Sequence, residues 1–155
     1  NTEMDLSLDN YTSSLLEINY EKTSNDNYLK LFDLKSPLLL ESKDVLESRI
    51  KLCDSKIYVS EVDKCLTGFV QLYPIFSSTR VSKYWLLNDL FVDANERGKG
   101  YSKHLIKKAK NLVEDTSACG MMLETEITNE IGNKLYPTQG FKINKLSNFY
   151  EWTPD

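Results

Sequence analysis

The chain has 155 residues, of which 41% are hydrophobic and 27% charged, and its net charge is −4. This composition excludes a disordered chain, disfavours broad binding to nucleic acid or an anionic membrane, and is typical of one folded domain. Cys53, Cys65 and Cys119 lack metal-ligand or disulfide spacing, so we expect reduced thiols in the cytoplasm and no metal ion. No apolar run approaches the ~20 residues that span a bilayer, and the acidic N-terminal residues do not resemble a signal peptide.

The predicted elements alternate between strands and helices. Residues 1–12 are expected to form a flexible arm, and 13–155 a single domain that begins with a short strand in LLEINYEK. Apolar stripes then predict helices over 24–34 and 42–53, separated at Pro37.

Four runs in the middle of the chain have the composition of strands. They are KIYVSEV, LTGFVQLYPIF, YWLLNDLFV and GMMLETEIT, with a hairpin turn at Asp63 and Lys64 between the first two. A helix over 101–114 is predicted between the third and fourth, because its apolar residues lie on one helical face. The last helix is predicted in NEIGNKLYPTQ, and FKINKLSNFYEWT is predicted to form one or two terminal strands. The chain is therefore an α/β protein of mixed strand order.

The segment 87–102, LNDLFVDANERGKGYS, is predicted to be a strand, a glycine-containing basic loop and the start of a helix. Unpaired N–H groups and roughly half a positive charge at a helix N-terminus favour an anion there. Gly98 and Gly100 allow the backbone to approach a ligand, and Arg97 and Lys99 add positive charge. A phosphate or pyrophosphate is the expected ligand. The P-loop pattern is absent, and Lys103 stands where a dinucleotide-binding loop has its third glycine.

The loop instead fits the pattern [Q/R]-x-x-G-x-[G/A], with Arg97, Gly100 and, in the last position, Ser102. Downstream, Asn129, Gly132, Tyr136 and the pair Gly140-Phe141 fit N-x-x-A-x-x-x-Y-x-x-x-G-F, with glycine in place of the alanine. Together these motifs resemble the GNAT N-acetyltransferase superfamily over roughly residues 13–150. The glycine is expected to loosen the last helix by about 1 kcal/mol without touching a ligand group.

The resemblance implies a mixed central sheet of six to seven strands, flanked by about four helices and splayed at the two strands that hold acetyl-CoA. It implies that the pantetheine arm pairs with strand 88–92, whose backbone N–H groups also serve as oxyanion donors. It implies that the loop binds the pyrophosphate, that Asn129 hydrogen-bonds the pantetheine arm, and that the Tyr136 phenol protonates the departing sulfur. The implied coenzyme-binding residues are Leu90, Phe91, Val92, Arg97, Gly98, Lys99, Gly100, Tyr101, Ser102 and Asn129.

The general base is left open between Asp89 and Glu124, on the two strands that flank the proposed gap, with Glu126 as a third option. Regular alternation places Asp89 on the face of Leu87 and Phe91, opposite Asn88 and Leu90. Asp89 and Glu124 equally suit a purely structural role.

The resemblance implies direct transfer of an acetyl group from acetyl-CoA to a primary amine. A single compact domain without an appended recognition module favours a small molecule as the acceptor. A protein acetyltransferase, acting on a lysine or an N-terminus, and a non-catalytic acyl-CoA-binding module are the alternatives. No nucleic acid, membrane or metal is expected as a partner. A homodimer is expected by analogy alone.

Overall fold

The computed structural model describes residues 13–18, 48, 51–52, 54–79 and 81–154. These residues fall into two compact units, one running up to Glu124 and the other starting at Thr125. The predicted arm over 1–12 and the predicted helix over 24–34 lie outside the described residues. Ser48, Lys51 and Leu52, from the predicted second helix, are helical.

A mixed sheet forms the first unit, in agreement with the predicted α/β class. Its strands are β1 (Ser13–Ile18), β2 (Lys56–Val62), β3 (Cys65–Ser77), β4 (Ser82–Val92) and β5 (Met121–Met122), in spatial order β1-β2-β3-β4-β5. β1 to β4 are antiparallel, and β5 lies parallel to β4. The described residues thus contain five strands, where six to seven are predicted for the whole sheet.

The β2–β3 hairpin has the predicted two-residue turn. Asp63 and Lys64 have φ angles of 48° and 65°, as in the turns whose twist matches that of the flanking strands. β3 continues past its last pairing with β2, which joins Lys56 to Leu72. Pro74 therefore fits inside β3, because its missing N–H faces no β2 residue.

One face of the sheet packs against α1 (Tyr101–Asp115), the helix predicted over 101–114. Leu105, Ile106 and Ala109 on this helix are completely buried. The core cluster joins α1 to side chains of three strands, namely Tyr58, Val70, Leu72, Trp85 and Leu87. The spacing of apolar residues in α1 therefore positions the glycine loop, which immediately precedes this helix.

A β-bulge interrupts β4 at Asn88. Leu87 pairs with Leu72, whereas Asp89 pairs with the adjacent Gln71, so that Asn88 has no residue opposite it. Leu90 and Val92 consequently pack on the α1 side together with Leu87. The predicted placement of Asp89 is therefore wrong for one neighbour: Asp89 shares its face with Phe91 but not with Leu87.

The strand predicted in GMMLETEIT is reduced to Met121–Met122. Past Met122 the polar groups bond locally: the Asn129 Nδ2 donates to Thr125 Oγ1 at 2.8 Å. The Asn133 Nδ2 donates to the carbonyls of Glu126 and Ile127 at 2.9 and 3.1 Å. These groups cap a helix, so the strand prediction is wrong beyond Met122.

The second unit contains α2 (Glu130–Thr138), the predicted last helix. The prediction of terminal strands is wrong for the described residues 141–154, none of which is in a strand. Ile143, Leu146 and Phe149 are spaced by three residues instead of two, so they do not define one face of a strand. None of the described helices is long and apolar enough to cross a bilayer.

Candidate active site

β4 loses its neighbour on one edge after Leu86. The Trp85 N–H donates to the Gly120 carbonyl at 3.0 Å, and the last paired residues are Leu86 and Met122. Over the ranges 54–79 and 81–154, no strand pairs with this edge beyond that point. Pairing between β4 and β5 therefore ends at Leu86 and Met122, as the expected splay of these two strands requires.

The bulge determines which backbone groups face this open edge. The Asp93 N–H donates to the Thr67 carbonyl at 2.9 Å, so Asp93 faces β3. Antiparallel alternation then directs the N–H groups of Leu90 and Val92 away from β3. Without the extra residue at Asn88, this outward set would be shifted by one position.

A short 3₁₀ helix, Ala94–Glu96, connects β4 to the glycine loop. The Asp93 side chain caps it by accepting from the Asn95 N–H at 2.8 Å. The Arg97 Nε donates to the Val92 carbonyl at 3.2 Å, which uses one of its five N–H donors. Arg97 therefore ties the loop to the end of β4 and retains donors for a ligand.

Gly98 and Gly100 have φ angles of 81° and 88°, which side-chain-bearing residues rarely adopt. A Cβ built on Gly98 meets no atom within 4 Å, so the space beside it is open. Gly100 is the N-cap of α1 and supplies no side-chain cap. The first N–H groups of α1 are therefore directed at the loop, as an anion site requires.

The side chains of several predicted binding residues are engaged within the protein. Tyr101 is only 5% exposed, so its ring belongs to the core. The Phe91 ring stacks on Phe69, with 5.9 Å between centroids. The Lys99 ammonium forms a salt bridge with Glu96 at 2.9 Å, which partly offsets the positive charge of the loop. Ser102 is partly exposed in the first turn of α1.

The second unit brings together Asn129, Gly132 and Tyr136. Asn129 caps α2, because its Oδ1 accepts from the Gly132 N–H at 3.0 Å. A Cβ built on Gly132 lies 2.7 Å from Asn129 Nδ2 and 3.1 Å from Tyr136 Cε2. Position 132 therefore lies beside both motif side chains, and its missing Cβ leaves room for them to approach each other.

The Tyr136 ring is half-buried and packs edge-on against Phe141, with 5.7 Å between centroids. Burial raises the pKa of the Tyr136 phenol above its ordinary value of 10.0. The phenol is therefore protonated at neutral pH, the state that a proton donor needs.

The candidate bases lie in different surroundings. Asp89 is partly exposed on β4, and its Oδ2 accepts from Asn88 Nδ2 at 3.0 Å. Glu124 is exposed, as is Glu126, which accepts from the Thr128 hydroxyl at 3.0 Å. Within the described ranges, no three His, Cys, Asp or Glu residues lie close enough to hold a metal ion.

The sequence analysis assigned no role to Gly68, although it lies against the proposed binding edge. A Cβ built on Gly68 lies 2.5 Å from the Phe91 carbonyl oxygen and 3.2 Å from Val92 Cα. Glycine thus allows β3 to approach β4 closely at this point. The available signal was a glycine inside an apolar strand, which often marks such an approach.

Two proteins that this chain resembles in sequence are described as N-acetyltransferases. A Bacillus subtilis (strain 168) protein described as an uncharacterized N-acetyltransferase, YhfO, is 35% identical over 97 residues, 63% of this chain and 65% of the relative. Human N-acetyltransferase 8B is 28% identical over 115 residues, 74% of this chain and 51% of the relative. The chain thus matches less than two thirds of the length of either relative.

A solved structure described as a probable acetyltransferase has a TM-score of 0.80 and is 28% identical. The match covers 92% of this chain and 98% of that one. The model of the acetyltransferase (GNAT) family matches residues 20–141, which include both the glycine loop and the Asn129–Tyr136 motif. The chain belongs to the acetyltransferase (GNAT) family.

Proposed function

We propose that the protein transfers an acetyl group from acetyl-CoA to a primary amine of a small molecule. The observation that carries this proposal is the open edge of β4, which leads directly into the glycine loop and the uncapped start of α1. An extended amide-containing arm followed by a pyrophosphate matches such a row of backbone donors and acceptors.

The open edge of β4 fits the pantetheine arm of acetyl-CoA, and the glycine loop fits its pyrophosphate. Leu90 and Val92 present backbone groups to the arm, and the N–H groups of Gly100, Tyr101 and Ser102 are assigned to the pyrophosphate. The open space beside Gly98 admits the phosphate oxygens. Arg97 supplies a charge-assisted hydrogen bond.

Acetyl-CoA supplies a thioester as the activated acyl group. In the proposed reaction, the amine nitrogen attacks the thioester carbonyl, a C–N bond forms and the C–S bond breaks. The N–H groups of Leu90 and Val92 stabilise the oxyanion, and positioning supplies much of the rate gain. Tyr136 protonates the thiolate, and Asp89, or Glu124 through water, accepts the amine proton.

The test measures free thiol with a chromogenic disulfide after acetyl-CoA is mixed with a panel of amines and lysine peptides. Cys65 and Cys119 are exposed thiols, so a reaction without amine sets the baseline. We expect turnover with small amines and binding of acetyl-CoA by calorimetry. Absence of acetyl-CoA binding contradicts the proposal, binding without turnover favours the non-catalytic module, and turnover with peptides alone favours a protein acetyltransferase.

Tyr136→Phe is expected to lower kcat by roughly 100- to 10,000-fold, because a general acid contributes that much. The Kd for acetyl-CoA should stay unchanged. Since the pKa of Tyr136 is raised, wild-type activity should lose this proton donor only as the pH rises past the raised value, above 10.0. That alkaline loss should be absent in the variant.

Tyr150→Phe is the matched control, since Tyr150 is 84% exposed in the same unit. It should behave as wild type. A Tyr136→Phe protein with wild-type kcat would show that another group donates the proton.

A further inference from the structure

A polar cluster interrupts the sheet face opposite α1. Ile57, Val59 and Phe69 on this face are each only 2% exposed, as expected for an apolar layer. Gln71 lies among them at 3% exposure. A buried amide in an apolar layer requires an explanation, because polar groups are costly to bury unless they are hydrogen-bonded.

Two hydroxyl groups hold the Gln71 amide. Its Nε2 donates to the Tyr73 hydroxyl at 2.9 Å and to the Ser55 hydroxyl at 3.1 Å. Tyr73 and Ser55 are both partly exposed. Gln71 therefore fixes the position of the phenol hydroxyl of a partly exposed tyrosine.

The bulge at Asn88 adds a carboxylate to the same face. Asp89 is the cross-strand partner of Gln71, so the two side chains leave the sheet on one side. Regular alternation from Leu87 would have placed Asp89 among the apolar side chains that contact α1. Asp89 is also adjacent to Leu90, whose backbone N–H faces the open edge.

We propose that the Tyr73 hydroxyl and the Asp89 carboxylate bind the ammonium group of the acceptor, and that Gln71 is a positioning residue that holds Tyr73. This inference rests on the proposed acetyl transfer and names the substrate class: a small primary amine that is protonated in solution. The carboxylate supplies the opposite charge and accepts N–H bonds, and the phenol oxygen accepts another. The ring of Tyr73, which is partly exposed, suits an aliphatic carrier.

The same carboxylate then accepts one proton from the ammonium group, which frees the nitrogen lone pair for attack on the thioester. The second proton leaves the nitrogen after attack and passes to Glu124 through water, while Tyr136 protonates the departing sulfur. An amine that is neutral at pH 7, such as an aniline, lacks the charge that Asp89 attracts. We therefore expect alkylamines to have a lower KM than anilines of similar size.

The experiment compares steady-state kinetics of wild type, Tyr73→Phe, Gln71→Met and the double variant, using alkylamines and anilines with acetyl-CoA. Tyr73→Phe should raise the alkylamine KM roughly tenfold, as for a lost hydrogen bond to a charged group, with the KM for acetyl-CoA unchanged. Gln71→Met should raise the same KM by less. In the Tyr73→Phe background it should add nothing, because it acts through that hydroxyl.

Tyr58→Phe is the control, because Tyr58 lies in the core cluster on the α1 face of the same sheet. It should leave the KM for every amine unchanged. An unchanged alkylamine KM in Tyr73→Phe, or equal KM rises for acetyl-CoA and amine, overturns the inference. Acceptance of anilines alone overturns the substrate class, and wild-type protein that does not bind acetyl-CoA overturns the proposed function itself.

Discussion

At the scale of single residues, Gly132 controls how two motif side chains meet. Asn129 uses its oxygen to cap α2 and its nitrogen to bind the Thr125 hydroxyl, so its amide plane is fixed. Tyr136 follows one helical turn after Gly132. The absence of a Cβ at position 132 therefore sets the distance between the amide and the phenol ring.

Gly132→Ala separates the effect on stability from the effect on activity. Alanine favours a helix over glycine by about 1 kcal/mol, but its Cβ would lie 2.7 Å from Asn129 Nδ2 and displace that side chain. Loss of the Thr125 hydrogen bond costs about 1 kcal/mol, so Tm should change little. Displacement of the motif side chains should lower kcat roughly tenfold or more, measured by thiol release.

Ile131→Ala is the control for this variant, because Ile131 is 70% exposed in the same helical turn. The Ile131→Ala variant raises helix propensity, but it adds no atom near Asn129 or Tyr136. A Gly132→Ala protein with the kcat of wild type would mean that the Asn129–Tyr136 spacing does not affect the reaction.

At the scale of elements, the close contact between β3 and β4 supports the edge to which acetyl-CoA is proposed to bind. Gly68→Ala places a Cβ 2.5 Å from the Phe91 carbonyl oxygen, and backbone atoms must shift to accommodate it. We expect destabilisation by about 1–3 kcal/mol, as in overpacked cores, and a weaker Kd for acetyl-CoA. Thermal unfolding and calorimetry measure the two effects.

Ile106→Val is the control for Gly68→Ala, because it lowers the stability of the protein without changing the proposed binding edge. Ile106 is completely buried in α1, and removing one methyl group costs about 0.5–1.5 kcal/mol without touching the β3–β4 contact. This variant should retain the wild-type Kd. If Gly68→Ala also retains it, the edge near Phe91 and Val92 is not the binding surface.

The pattern of apolar residues was sufficient to predict β2, β3, β4 and α1, because each presents a face to the core around α1. α2 was predicted from its motif and from Pro137 and Gly140 near its end, and Gly132 is its only buried residue. The apolar pattern did not predict the β-bulge at Asn88. The residues LLNDLF do not alternate regularly, but this irregularity does not identify which residue is extra. The extra residue becomes apparent only when Leu87 and Asp89 are paired with Leu72 and Gln71. The loop and the Asn129–Tyr136 motif were found as short patterns, whereas the Gln71–Tyr73 bond depends on cross-strand packing.

At the scale of the whole molecule, the sequence predicts one domain over 13–155, and acetyl-CoA provides its test. A ligand at one hundred times its Kd stabilises the folded state by about 2.7 kcal/mol. For a chain of this size that corresponds to a rise in Tm of roughly 5–10 °C. Scanning calorimetry with and without acetyl-CoA should give a single transition that moves upward as a whole.

Adenosine alone, which lacks both pyrophosphate and pantetheine, is the matched ligand control and should produce a much smaller rise. Two separate transitions, of which only one responds to acetyl-CoA, would contradict the single-domain prediction. An unchanged Tm at a saturating concentration would contradict acetyl-CoA binding to the folded protein.

The open edge of β4 has a consequence for handling the protein. Outward N–H and C=O groups beside partly buried apolar side chains can template pairing with a strand of another molecule. A ligand that occupies Leu90 and Val92 covers these groups and thereby protects the sheet from edge-to-edge aggregation. The acidic net charge of −4 opposes self-association only weakly at high salt, where repulsion between molecules is screened. Shelf life in concentrated solution is therefore expected to depend on how much coenzyme is present.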